Sequence, residues 1–232
     1  LAAREKGLPL VNIAQPFKSS GMMLTCRKDM GVNTTADLKG KTLGVWFYGN
    51  EYPFLSWMSR LGLKTDGSAN GVTVLRQGWG VEPLTQGQAA CVSTMSYNEY
   101  WVVRDAGYSP EQLTVFKYQS EGAATLEDGL YVHEKNLSDA AFKDKMVRFV
   151  RASMKGWKYA EANPKEAAMI ILDNDDAGVQ TEKHQVRMMG EIAKLTAGSN
   201  GSLDPADYER TVKVLMSGDS DPVITKKPSG AW

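Results

Sequence analysis

Apolar residues follow two rhythms along this chain. Up to about residue 135 they come in short runs bounded by Gly, Pro, Asn and Ser. From Asp139 onward they recur at helical spacing. The short runs predict strands over 8–14, 22–26, 42–46, 72–75, 89–94, 113–116 and 129–132. Between them, polar caps and glycine stops predict a single helical turn around Asn33–Gly40 and helices over 53–61, 81–86 and 98–105. In the second half Phe142, Met146, Phe149, Val150, Met154 and Trp157 share one helical face, with basic residues between them. Further helices are expected from Pro164, over 186–195 and over 205–216. Strands separated by helices imply an α/β domain with a largely parallel sheet, and the helical tail implies a second lobe. Residues 1–20 with 135–232 are expected to form lobe one and 21–134 lobe two. The crossovers near 16–21 and 129–134 are the hinge candidates.

Composition narrows the class. In 232 residues, 27 basic side chains balance 27 acidic ones, and no Lys/Arg run occurs, which argues against binding to nucleic acid. The longest wholly apolar stretch, Ala167–Leu172, is too short to span a bilayer. Cys26 and Cys91 are too few for a disulfide framework and read as two buried thiols in strands. His133 and His184 stand without a nucleophile or metal pattern, with His184 expected on a solvated helix face. No phosphate loop, dinucleotide fingerprint or zinc signature occurs, so neither cofactor nor metal is expected. The opening Leu1–Gly7 reads as the last turns of a helix with a glycine cap, so further N-terminal structure is expected ahead of it.

Three loops carry candidate chemistry, because open α/β sheets bind ligands beyond the carboxyl ends of their strands. In the first, Trp46, Tyr48, Gly49, Asn50 and Glu51 combine stacking faces, a close backbone approach and hydrogen-bonding groups. In the second, Tyr97, Asn98 and Glu99 lead into a helix with Trp101. Glu99 there could accept hydrogen bonds from an amino-substituted ring while an aromatic stacks on it, although the helix dipole alone also accounts for an acid at that position. In the third, Glu127 and Asp128 lie in a small-residue loop, where neighbours on an extended segment point apart and serve as separate contacts or a hinge.

The stretches Leu1–Pro9, Ala36–Val45 and Asn163–Ala168 resemble ABC-transporter solute-binding proteins, in the branch shared by nitrate, sulfonate and taurine binders and thiamine-pyrimidine-precursor binders. That resemblance implies a two-lobed type II periplasmic-binding fold whose first lobe lacks its N-terminal strands here. It also implies a small-molecule ligand captured by lobe closure, no catalysis, a membrane ABC permease as partner, a monomer, and a periplasmic or lipid-anchored location. Within the branch, Tyr97-Asn98-Glu99 and the Gly49 loop look most like the pyrimidine-precursor binders. There the acid at the Glu99 position bonds the aminopyrimidine. An acidic Glu99, and three loops without Lys or Arg, disfavour an anion. The sibling pyrimidine synthases, enzymes of thiamine biosynthesis, carry a cysteine-rich motif ahead of the strand at Leu130. Here those positions read Ala123, Ala124, Thr125, Leu126 and Glu127. The synthase and a binder of a small sulfonate or nitrate remain the alternatives.

Overall fold

The computed structural model describes residues 1–217 and 222–232. In chain order its elements are α1 (Ala2–Glu5), β1 (Leu10–Ala14), β2 (Met22–Arg27), β3 (Thr42–Val45), α2 (Glu51–Arg60), β4 (Thr73–Arg76), α3 (Glu82–Thr85) and β5 (Cys91–Met95). There follow α4 (Glu99–Asp105), β6 (Leu113–Lys117), β7 (Leu130–His133), α5 (Ala140–Ala162), α6 (Pro164–Asp173), α7 (Glu182–Thr196) and α8 (Pro205–Met216). They form two compact units, one of Leu1–Ser20, Leu126–Val212 and Ile224–Trp232, the other of Gly21–Thr125 and Lys213–Val223.

The expected boundaries need correction. The chain returns to the first unit at Leu126, not at 135, because β7 pairs with β1 in the register Leu10↔His133 and Val11↔Val132. The hinge candidate at 129–134 therefore lies inside a paired strand. Residues 213–217 and 222–223 belong with the second unit, where Ser56 Oγ donates to the Val214 carbonyl at 2.7 Å.

The second unit is built on a five-stranded sheet of order β4-β3-β5-β2-β6. β3 runs parallel to β4 and β5, while β2 runs antiparallel to β5 and β6, so the sheet is mixed. β4, β3, β5 and β6 share one direction, as the expectation of a largely parallel sheet requires, and β2 is reversed among them. Crossovers through α2 and α3 return the chain to the same end of the sheet and make the parallel pairs. β2 follows no such crossover and enters between β5 and β6 in the opposite sense. Leu24, Leu43, Phe54, Trp57, Met58 and Tyr118 fill the core with 1% exposure or less. The Trp57 ring lies 5.6 Å from Phe116 and 5.5 Å from Tyr118.

Helix α2 starts at Glu51, two residues ahead of the expected Pro53. Pro53 is tolerated in the first turn because N–H groups there have no intrahelical acceptor. Gly62, at φ +68°, closes the helix in a conformation that costs a side-chain-bearing residue free energy. The expectation of two free thiols is overturned: Cys26 and Cys91 are directly opposed on β2 and β5 and joined by a disulfide. Both residues are fully buried, as expected of their strands, and the register brings their sulfurs together.

In the first unit β1 and β7 form a two-stranded ribbon, and the unit also holds α5, α6, α7 and α8 as far as Val212. Asp139 caps α5 by accepting from the Ala141 N–H at 2.8 Å, and Thr181 caps α7 by accepting from the His184 N–H at 3.3 Å. α6 packs on α7, with Ala167, Ala168 and Leu195 buried.

Candidate functional site

The carboxyl ends of β3, β4 and β5 in the second unit surround a cavity of about 460 Å³. The loop after β3 contributes Trp46, Phe47, Tyr48 and Asn50. β4 and the loop after it contribute Arg76, Gln77, Gly78 and Trp79, and β5 with the start of α4 contributes Met95 and Glu99. The volume suits a small organic ligand.

The walls are held by short-range bonds. The Trp46 indole N–H donates to the Gly78 carbonyl at 2.9 Å, tying the β3 loop to the β4 loop. Gln77 is 6% exposed and satisfied on both ends of its amide. Its Nε2 donates to the Ser93 carbonyl at 3.0 Å and its Oε1 accepts from the Ser93 N–H at 2.8 Å. Gly44 makes room for it, since a Cβ there would lie 3.2 Å from Gln77 Oε1 and 2.9 Å from Val92 Cγ1. Tyr48 adopts φ +65°, a conformation that costs a residue with a Cβ roughly 1–2 kcal/mol. The next residue, Gly49, has φ +109°, and its N–H donates to Glu51 Oε2 at 2.7 Å. Backbone strain in a rim loop is a common mark of a functional surface.

The rim is aromatic and open. Tyr48 is 93% exposed and Trp79 97%, a cost in apolar surface that core packing does not explain. The Arg76 guanidinium lies 5.0 Å from the Tyr48 ring centroid and 5.2 Å from that of Phe47, within cation–π range.

Glu99 sits at the first turn of α4. Its Oε2 accepts from the Met95 N–H at 2.9 Å and its Oε1 from Asn98 Nδ2 at 2.7 Å. Burial pushes its pKa above the ordinary carboxylate range, and the bonds from Met95 and Asn98 offset that only in part. Each oxygen can still accept a further hydrogen bond, so a fixed, partly desolvated acceptor lines the cavity.

Of the residues expected from sequence, Trp46, Tyr48, Asn50 and Glu99 line this cavity together. Gly49 and Glu51 shape the loop, and Asn98 orients Glu99. Tyr97 stands in the turn ahead of α4, outside the lining. Glu127 belongs to the first unit, where its carboxylate accepts from Ser20 Oγ and its carbonyl from Gln15 Nε2. Arg76, Gln77 and Trp79 were missed. The signal was present as Arg76-Gln77-Gly78-Trp79-Gly80, a fourth strand-to-helix loop with an aromatic between glycines, and it brings a cation to the cavity.

Among the described residues no cluster of three or more His, Cys, Asp or Glu could hold a metal ion, and no helix is long and apolar enough to cross a membrane. The family model described as NMT1/THI5 like matches residues 1–167. The chain belongs to the NMT1/THI5-like family. It is similar to the formylaminopyrimidine-binding protein of Halalkalibacterium halodurans, 23% identical across 97% of this chain and 69% of the relative. A solved structure from Bordetella bronchiseptica superposes with a TM-score of 0.68 at 17% identity, covering 100% of this chain and 74% of the other. The periplasmic aliphatic sulphonate-binding protein SsuA of Escherichia coli superposes with a TM-score of 0.60 at 15% identity, covering 98% and 70%. The fold of this NMT1/THI5-like chain is therefore the α/β fold of type II periplasmic binding proteins of ABC import systems.

Proposed function

We propose that this chain is the solute-binding component of an ABC importer and that the second unit's cavity takes a small planar N-heterocycle such as a thiamine pyrimidine precursor. The observation that carries this reading is Glu99, an oriented acceptor on a cavity wall beneath an exposed aromatic rim. An amine on a heteroaromatic ring donates to the carboxylate while Tyr48, Trp46 or Trp79 covers the ring face. No bond of the ligand is made or broken. The formylaminopyrimidine-binding relative supports the ligand class. The Cys26–Cys91 disulfide supports an extracytoplasmic, oxidising location, periplasmic or lipid-anchored, from which a monomer delivers its ligand to a membrane permease.

Calorimetry with a formylaminopyrimidine and with taurine tests it. Binding of the pyrimidine and not of taurine is expected, and the reverse order would overturn the reading. Arg76 favours a second reading, a small sulfonate, because it places a cation at the same cavity.

A further inference from the structure

Arg76 lines the cavity from the end of β4, and Glu99 lines it from the first turn of α4, which follows β5. β3 lies between β4 and β5, so the ends of β4 and β5 from which the two elements lead stand two strand spacings, about 10 Å, apart. Arg76 makes no ion pair with Glu99 or any other carboxylate among the described residues. Its guanidinium rests on the Tyr48 and Phe47 rings with its donors free to meet a ligand. Cation–π contact with two rings holds the guanidinium beside the cavity, and its planar set of N–H donors suits bidentate contact with a planar anion. The cavity therefore has an acceptor wall and a donor wall, with aromatic faces between.

We propose that Arg76 is a specificity-determining residue and that the preferred ligand is dipolar: a heteroaromatic ring with an amine on one edge and an anionic substituent on the opposite edge. This rests on the proposed binding function and names the ligand class for the same cavity. The amine faces Glu99, the ring stacks against the rim, and the anionic group meets the Arg76 guanidinium. A neutral aminated ring satisfies only the first wall. A simple sulfonate satisfies only the second and brings its charge toward the Glu99 carboxylate.

Two probes of the same shape test the proposal, 2-aminopyrimidine-5-carboxylate and its neutral 5-carboxamide, titrated calorimetrically into the full chain and into Arg76→Gln and Arg76→Lys. The wild type is expected to bind the carboxylate about tenfold more tightly than the carboxamide. Arg76→Gln removes that preference, and Arg76→Lys, which keeps the charge without the planar fork, retains part of it. Arg76 is exposed at a strand end, and matching circular-dichroism spectra confirm that the variants fold. Equal affinities in the wild type, or a preference that survives Arg76→Gln, would overturn the role of Arg76 while leaving heterocycle binding intact. Failure of every aminated ring to bind would overturn heterocycle binding itself and the dipolar class with it.

Discussion

Replacing Glu99 by glutamine separates a ligand-binding acid from a structural one. In the wild type both carboxylate oxygens face donors, the Met95 N–H at 2.9 Å and Asn98 Nδ2 at 2.7 Å. Glutamine satisfies one of them and turns its NH₂ toward the other, losing a bond of roughly 1 kcal/mol. Burial raises the Glu99 pKa, so the native state binds this proton more tightly than the unfolded chain does. The linkage sign follows: stability falls as pH rises from the unfolded to the folded pKa, and the full cost is present above the folded value. Glutamine removes that cost at neutral pH, so the two effects offset and the unliganded variant stays within about 1 kcal/mol of the wild type. The ligand has no such offset. An aminated ring loses a charge-assisted hydrogen bond of roughly 1.5–3 kcal/mol, or about 10- to 150-fold in Kd. Urea unfolding reads the first quantity and calorimetry the second. With a ring that stays neutral throughout, wild-type affinity also falls on acidification through the raised Glu99 pKa, whereas that of Glu99→Gln stays flat. A large loss of stability together with an unchanged Kd would refute the reasoning and make Glu99 a helix-start residue only.

The Cys26–Cys91 bridge spans 65 residues of sequence, and loop-closure entropy assigns it about 4 kcal/mol relative to the reduced protein. Comparing urea midpoints before and after reduction checks this, and two thiols titrating in denaturant without reductant would contradict the bridge. Trp79 is 97% exposed, so Trp79→Ser leaves stability within about 0.5 kcal/mol while weakening a planar ring several-fold. An unchanged Kd would remove Trp79 from the site.

The alternation of short apolar runs with capped helical segments identified every strand of both units, because burial and capping are local demands. Strand direction was not legible in the same way. Met22–Cys26 carries the same apolar signature whether it runs with or against its neighbours, and only the absence of a crossover makes β2 antiparallel. The disulfide depends on register, which placed Cys26 opposite Cys91 across 65 residues. The whole of β7 was assigned to the other unit because its partner β1 is more than a hundred residues away in sequence. At the site, the loops after β3 and β5 were legible because their aromatics and acids interrupt a strand-to-helix turn. The loop after β4 was passed over because Arg76 and Gln77 read as ordinary polar strand-end residues. Their roles come from the strand order: β4 beside β3 brings Arg76 over the Phe47 and Tyr48 rings and sets Gln77 against Ser93 of β5.

Heterocycle capture is tested most directly by a crystal structure of the protein grown with saturating 4-aminopyrimidine. The ring should stack on Tyr48, Trp46 or Trp79 with its amine within hydrogen-bonding distance of a Glu99 oxygen. A ring bound elsewhere on the molecule, with the Glu99 carboxylate contacted by water alone, would contradict the account.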